Sequence, residues 1–220
     1  MSSSPGSVRD NLHRIRDRID AACRRAHRDP SGVTLVAVTK SATDAHVEAL
    51  LDLGVRDFGE SRAIEGSARA TRYAREDVRW HFIGHLQTNK SAKVVAAFQV
   101  LHSLDRAPLA EDLEKKCAAR NRRLPVFVQV NVSGEATKGG FRPDDVKSQI
   151  GSEHPHLAIR GLMTMAPAGD PEASRPHFRK LRELAASVNV QELSMGMSDD
   201  FEVAIEEGAT HIRVGTALFT

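Results

Sequence analysis

Lys40 closes an almost unbroken apolar run, Val33-Thr34-Leu35-Val36-Ala37-Val38-Thr39. Apolar surroundings disfavour an ammonium, because the charged form loses its hydration. A neutral lysine amine attacks a carbonyl carbon and forms an imine. Two segments near the C-terminus suggest a different chemistry. Ser194-Met195-Gly196-Met197-Ser198-Asp199-Asp200 leads into a helical pattern. Ser198 then falls near a helix N-cap, where its hydroxyl and the free backbone N–H groups suit a phosphate. In Arg213-Val214-Gly215-Thr216, the glycine allows close backbone approach and the threonine adds a hydroxyl. Asp199 and Asp200 suit the helix dipole but would repel a phosphate, so both are expected to point outward. Each feature also has a plainer reading: Lys40 as the start of a solvated loop, Ser198 as a cap, Gly215 as a turn, Arg213 as a surface or ion-paired arginine.

What joins these residues is the order of the elements before them. Val8, Leu12, Ile15, Ile19 and Ala22 recur in steps of four and three, one face of an amphipathic helix. Ser7 and Asp10 have capping-box spacing at its start, and Pro30 and Gly32 end it. After the first apolar run, strands are expected near Asp57–Gly59, Trp80–Ile83, Val100–Leu104, Pro125–Val132, Ile159–Met165, Glu192–Met195 and His211–Val214. Helices are expected between them, at Asp44–Leu53, Arg62–Arg72, Asn89–Ala97, Pro108–Ala119, Asp144–Gly151, Arg175–Val188 and Asp200–Glu207. Continuous apolar strands alternating with helices mean a parallel sheet, and eight such units predict closure into a (β/α)8 barrel. An open doubly wound sheet is the alternative, but no GxGxxG follows the first strand. No helix is expected after the eighth strand, so the N-terminal helix would cover that flank. In such barrels functional groups sit at the C-terminal strand ends, and phosphates between the loops after strands seven and eight. Lys40, Ser198 and Gly215 all fall at strand ends. The residues alone therefore allow two classes: a pyridoxal phosphate protein, or a Schiff-base aldolase acting on a sugar phosphate.

The bulk composition narrows the field. The chain has 220 residues, 40% hydrophobic and 27% charged, which suits one globular domain. A net charge of +2 gives no electrostatic footprint for nucleic acid or for a membrane tether. The ten histidines show no metal-ligand spacing, and no apolar stretch is long enough to span a bilayer. Cys23 and Cys117 fall in helical patterns as packing residues, consistent with a reduced, cytoplasmic protein. Met1–Ser7 is rich in Ser, Pro and Gly and is expected to be a disordered tail without an apolar signal region, leaving 8–220 as a single domain.

Several ordered stretches resemble one family. They are Leu35-Val36-Ala37-Val38-Thr39-Lys40, Phe58-Gly59-Glu60, the run from His81 to Lys90, Val130-Asn131-Val132-Ser133-Gly134-Glu135, Gly161-Leu162-Met163-Thr164, Leu193 to Ser198, and Arg213-Val214-Gly215-Thr216. The chain resembles the pyridoxal phosphate homeostasis proteins, single-domain relatives of the alanine racemase N-terminal barrel. The resemblance implies pyridoxal 5′-phosphate held as a Schiff base on Lys40, phosphate contacts from Ser198, Gly215 and Thr216, and Arg213 at the pyridine nitrogen. Ser61, Ser194 and Met195, from the matching strand-end segments, complete the expected cofactor-binding set. The chain departs from the family at Ser61, where asparagine is usual, and at Arg62-Ala63-Ile64. An arginine donates and cannot accept, so facing the ring it keeps the pyridine nitrogen unprotonated and makes the ring a weaker electron sink.

A racemase needs a second acid or base on the far face of the cofactor. In the related racemases a tyrosine from a partner's added β-domain does this, and here the only tyrosine, Tyr73, sits in a charged helix end. His85, after the third strand, either reaches the mouth or serves the loop and helix start there; His81 is the other candidate. The expectation is a monomeric carrier that buffers the cofactor and meets pyridoxal phosphate-dependent apoenzymes transiently. A weak amino-acid racemase and the aldolase remain as alternatives.

Overall fold

The computed structural model describes residues 5–135 and 137–220. Eight parallel strands, each hydrogen-bonded to the next, close into a barrel in sequence order. They are β1 (Thr34–Val38), β2 (Asp57–Glu60), β3 (Arg79–Phe82), β4 (Val100–Leu104), β5 (Leu124–Gln129), β6 (Leu157–Met163), β7 (Glu192–Ser194) and β8 (His211–Val214). β1 pairs with both β2 and β8, with Val36 opposite Arg213 and Val38 opposite Gly59. The helices are α1 (Pro5–Arg25), α2 (Asp44–Asp52), α3 (Ala63–Arg72), α4 (Ser91–Ala97), α5 (Ala107–Ala118), α6 (Val146–Ile150), α7 (Arg175–Ser187), α8 (Phe201–Glu206) and α9 (Thr216–Phe219). None of the described helices is long and apolar enough to cross a membrane.

The expected barrel and its alternation are thus present, with local differences. Met1–Ser4 of the expected tail lie outside the described residues. α1 already starts at Pro5, so Ser7 is inside the helix and not its cap. β5 stops at Gln129, after which Val130 makes only an isolated bridge to Phe141. A short helix, α9, does follow β8. The N-terminal helix nevertheless covers that flank, packing on α2, α8 and α9. Its stripe of Val8, Leu12, Ile15, Ile19 and Ala22 is buried. The Asn11 side-chain amide donates to the carbonyls of Leu218 and Thr220, which pins the C-terminus to α1.

The apolar core lies between strands and helices, with Phe58, Trp80, Phe82, Leu101 and Ile212 packed outward from the barrel. Strand alternation turns every second residue the other way. On β3, β4 and β8 that inner set is His81, His102, His211 and Arg213, around Phe127 of β5. Branched aliphatic residues commonly fill a barrel of this kind; this one carries a polar interior that hydrogen bonds must satisfy.

Candidate functional site

Lys40 follows the inward-facing Val36 and Val38 at two-residue spacing, so the strand period aims it at the C-terminal mouth. Its loop is held from below. Thr39 N–H donates to Gly59 O at 2.9 Å and Thr39 Oγ1 to the buried Glu60 carboxylate at 2.7 Å. Arg69 of α3 donates to the same carboxylate oxygen at 2.8 Å and to Ala42 O at 2.9 Å. Glu60 therefore ties the end of β2, the Lys40 loop and α3 together. Lys40 itself is exposed at the mouth, not desolvated as the apolar run before it suggested, because the run ends one residue earlier and the loop lifts Lys40 to the rim.

The loop after β7 turns on Gly196, whose φ of +93° and crowded Cβ direction (2.6 Å from Ala204 Cβ) admit only glycine. The N-cap position of α8 is Asp200, two residues after Ser198, so Ser198 is not that helix's cap. Its hydroxyl accepts instead from Gly215 N–H at a long 3.4 Å, which joins the loops after β7 and β8. Asp200 does not point outward. It is buried, accepts from Met197 N–H at 2.6 Å, and takes a 3.2 Å bond from the Ser174 hydroxyl. This local side-chain-to-backbone bond is the reason for its inward turn. Asp199 stays exposed, but on the rim of the cavity described next.

Those loops enclose a cavity of about 420 Å³, lined by Lys40, Ser61, Ser198, Arg213, Gly215 and Thr216, with Ile83, His85 and Met165 among its other walls. That size is within the roughly 300–1,000 Å³ of small-molecule sites. A larger cavity, about 520 Å³, opens at the N-terminal strand ends. There the two lining arginines, Arg79 and Arg160, are already paired with Asp57 and Glu192, whereas the C-terminal cavity is lined by Lys40. Six of the expected residues share the C-terminal cavity; Ser194 and Met195 are fully buried behind it.

Ser194 has a different position from a wall residue. Its Oγ accepts from Arg213 Nη1 at 2.7 Å and lies 2.7 Å from His102 Nδ1. His102 Nε2 is 2.9 Å from His81 Nδ1, and His81 Nε2 is 2.9 Å from Asp57 Oδ1. Arginine only donates and a carboxylate only accepts. For neutral rings one proton order satisfies the whole chain: Arg213 to Ser194, Ser194 to His102, His102 to His81, His81 to Asp57. Burial drives the His102 pKa well below its usual value, with the neighbouring His81, His211 and Arg213 lowering it further. Burial also brings His211 to about 3. Burial would raise Asp57, but the bonds from His81 and Arg79 outweigh it and hold that carboxyl at about 2. Arg213, buried, falls to about 10 through desolvation, partly offset by Asp200, and stays protonated near neutral pH. Its Nη2 donates to Thr164 O at 3.0 Å, so two of five donors are bound in the floor of a cavity that Arg213 also lines.

His85 is at the mouth, as one of its two expected readings has it, and its Nδ1 lies 2.9 Å from Asp105 Oδ2. Tyr73 is elsewhere, with its hydroxyl 3.4 Å from Glu48 on α2. The sequence reading missed Asp105, Glu60 with Arg69, and His102. The alternation of Trp80-His81-Phe82 already separated His81 from its aromatic neighbours, but nothing in one chain's order paired it with His102.

The donor set suits an anionic group beside a carbonyl: hydroxyls from Ser198 and Thr216, the Gly215 N–H, the guanidinium of Arg213 and the amine of Lys40. Residues 11–220 match the family model for the alanine racemase N-terminal domain. The pyridoxal phosphate homeostasis protein of Aquifex aeolicus is 41% identical over 96% of this chain and 96% of its own length. The protein of that name from Pseudomonas aeruginosa is also 41% identical, over 97% and 95%. Among solved structures, PipY of Synechococcus elongatus with PLP bound superposes with a TM-score of 0.81 at 34% identity, covering 94% of this chain and all of that one. An alanine racemase from Clostridium difficile, 13% identical, shares the fold with a TM-score of 0.76 over 97% of this chain and 56% of its own. The chain belongs to the pyridoxal phosphate homeostasis proteins, a family built on the alanine racemase N-terminal barrel.

Proposed function

We propose that this chain binds pyridoxal 5′-phosphate at the C-terminal mouth of the barrel, covalently through Lys40 Nζ, and serves intracellular supply of that cofactor as a carrier. One observation carries this reading: the strand-end lysine, the Ser198–Gly215–Thr216 donors and Arg213 line one cavity. When bound, the cofactor supplies an aldehyde carbon and an electron-withdrawing pyridine ring. Ser198, Thr216 and the Gly215 N–H would hold the phosphate. Arg213, fixed by Ser194 and Thr164, would face the ring nitrogen and keep a proton off it. Ser61 closes the rim next to Gly84.

The carrier reading is favoured over an amino-acid racemase by Tyr73, whose hydroxyl meets Glu48 on the outer surface. An exposed lysine, open to water and incoming amines, suits reversible capture more than sequestered chemistry. The protein acts as a cytoplasmic monomer that hands the cofactor to apoenzymes in transient contacts. The test is visible absorbance of the purified protein with pyridoxal phosphate, then borohydride reduction and peptide mapping. A reduced adduct on Lys40, absent in Lys40→Ala, is expected. Trapping of a sugar phosphate there, with no pyridoxal adduct, would mean an aldolase. Exchange of the α-hydrogen of alanine in heavy water at enzymatic rates would mean a racemase.

A further inference from the structure

Resting on the cofactor site just proposed, we infer that His85, oriented by Asp105, is the proton-transfer residue for cofactor capture and release at Lys40. His85 lines the cavity that Lys40 lines, and also a neighbouring one of about 270 Å³ with Ile64, Gln87 and Lys90. Its side chain is 65% exposed, so the ring meets water at the mouth.

The groups that hold this exposed ring are themselves anchored. The Asp105 side chain is 5% exposed and accepts from His85 Nδ1 at 2.9 Å and from Arg106 Nη1 at 2.5 Å. Arg106 is anchored in turn by Leu86 O at 2.8 Å. A carboxylate on Nδ1 fixes the tautomer: Nδ1 carries the proton and Nε2 is left to accept or return one. The backbone beneath is equally constrained. A Cβ at Gly84 would lie 2.1 Å from Ser61 O, and Ser103 Oγ donates to Gly84 O at 2.6 Å. A surface histidine serving only as an ion pair needs none of this, since such pairs contribute little; a group that must meet a reacting atom in one orientation does.

Capture needs such a group. Lys40 Nζ bonds to the aldehyde carbon, and both its N–H protons pass to the carbonyl oxygen. That oxygen leaves as water while the C=N bond forms; release is the reverse, with no oxidation or reduction. His85 Nε2 takes each proton from nitrogen and returns it to oxygen, a role for which positioned general acid–base groups give roughly 10²–10⁴-fold.

The experiment measures capture by stopped-flow absorbance of the full chain mixed with pyridoxal phosphate. Release is followed after dilution into alkaline phosphatase, which consumes free cofactor. In His85→Gln, both rates are expected to fall by the same factor, roughly 10- to 100-fold, leaving Kd within about twofold; added imidazole restores them. Asp105→Asn should slow both rates less, shift their pH profile, and disturb the Nδ1–H tautomer seen by ¹⁵N NMR in cofactor-free protein. Unchanged rates in His85→Gln, or a weaker Kd through faster release alone, would overturn the inference. If borohydride traps nothing on Lys40, the cofactor reading itself fails. An intact adduct with unaltered rates sinks only the role of His85.

Discussion

The neutral histidines inside the barrel should make the fold acid-sensitive well above the carboxylate range. His211 has an ordinary value near 6.5 in the unfolded chain, and burial brings it to about 3 in the fold. A depressed histidine is neutral when folded and takes up a proton on unfolding. Stability is therefore complete above about pH 6.5 and is lost as pH falls toward 3. Going from pH 7 to pH 5, linkage assigns His211 alone a loss of about 2 kcal/mol. His102 shifts in the same direction and adds to it. Against a typical total of about 5–15 kcal/mol this is a large share. The assay is urea unfolding of cofactor-free protein by circular dichroism between pH 7 and pH 5. His211→Gln cannot take up the proton, so the wild type should lose about 2 kcal/mol more than the variant across that range. Parallel stability curves for the two proteins would refute the reasoning, whatever the variant's absolute stability.

Three other outcomes follow from the same geometry. Ser198→Ala removes one hydrogen bond to an anion and should weaken cofactor retention by about 1–3 kcal/mol, read as the dissociation constant from absorbance titration. Glu60→Ala leaves Arg69 and Thr39 without their buried acceptor and should cost about 3–5 kcal/mol in urea unfolding. It should also slow cofactor capture, because the Lys40 loop loses its clamp. Gly84→Ala drives a Cβ into the backbone oxygen of Ser61 and should destabilise by about 3 kcal/mol or more in the same unfolding measurement; a loss under about 1 kcal/mol would show that the two loops separate easily.

The fold was legible because barrel strands and helices carry local signals. The Val33–Val38 run marked a strand packed on both faces, and the steps of four and three from Val8 to Ala22 marked the helix that covers β8. That Lys40, Ser198 and Gly215 would meet at one cavity was legible because strand ends in a parallel barrel converge. Their detailed surroundings were not. Asp200 follows the dipole rule in sequence, yet a local bond to Met197 N–H and Ser174 turns it inward. Burial of Lys40 was read from its neighbours, but exposure is set by one loop residue. The Glu60–Arg69 clamp and the His85–Asp105 pair join residues 9 and 20 positions apart on different elements. No periodicity encodes such pairs. Ser194 shows the limit most clearly: the same stretch that carries Ser198 made it a cofactor contact, while its inward side chain reaches Arg213 and His102 beneath the cavity.

The polar interior explains why that difference matters. Had the inner layer been aliphatic, Arg213 would sit in an apolar barrel with nothing beneath it, and burial of its charge would be costly. The series of bonds through Ser194, His102 and His81 ends on Asp57, itself paired with Arg79 at the opposite strand ends. The cation under the cavity therefore has a continuous run of bonded polar groups beneath it, and the carboxylate that offsets its burial is Asp200. Most apolar packing is left to the layer outside the strands, so the interior is free to serve electrostatics. The cost is the acid sensitivity above: His211 lies beside this series in the same interior, and a proton on His102, a member of it, breaks the order of donors that reaches Arg213 through Ser194.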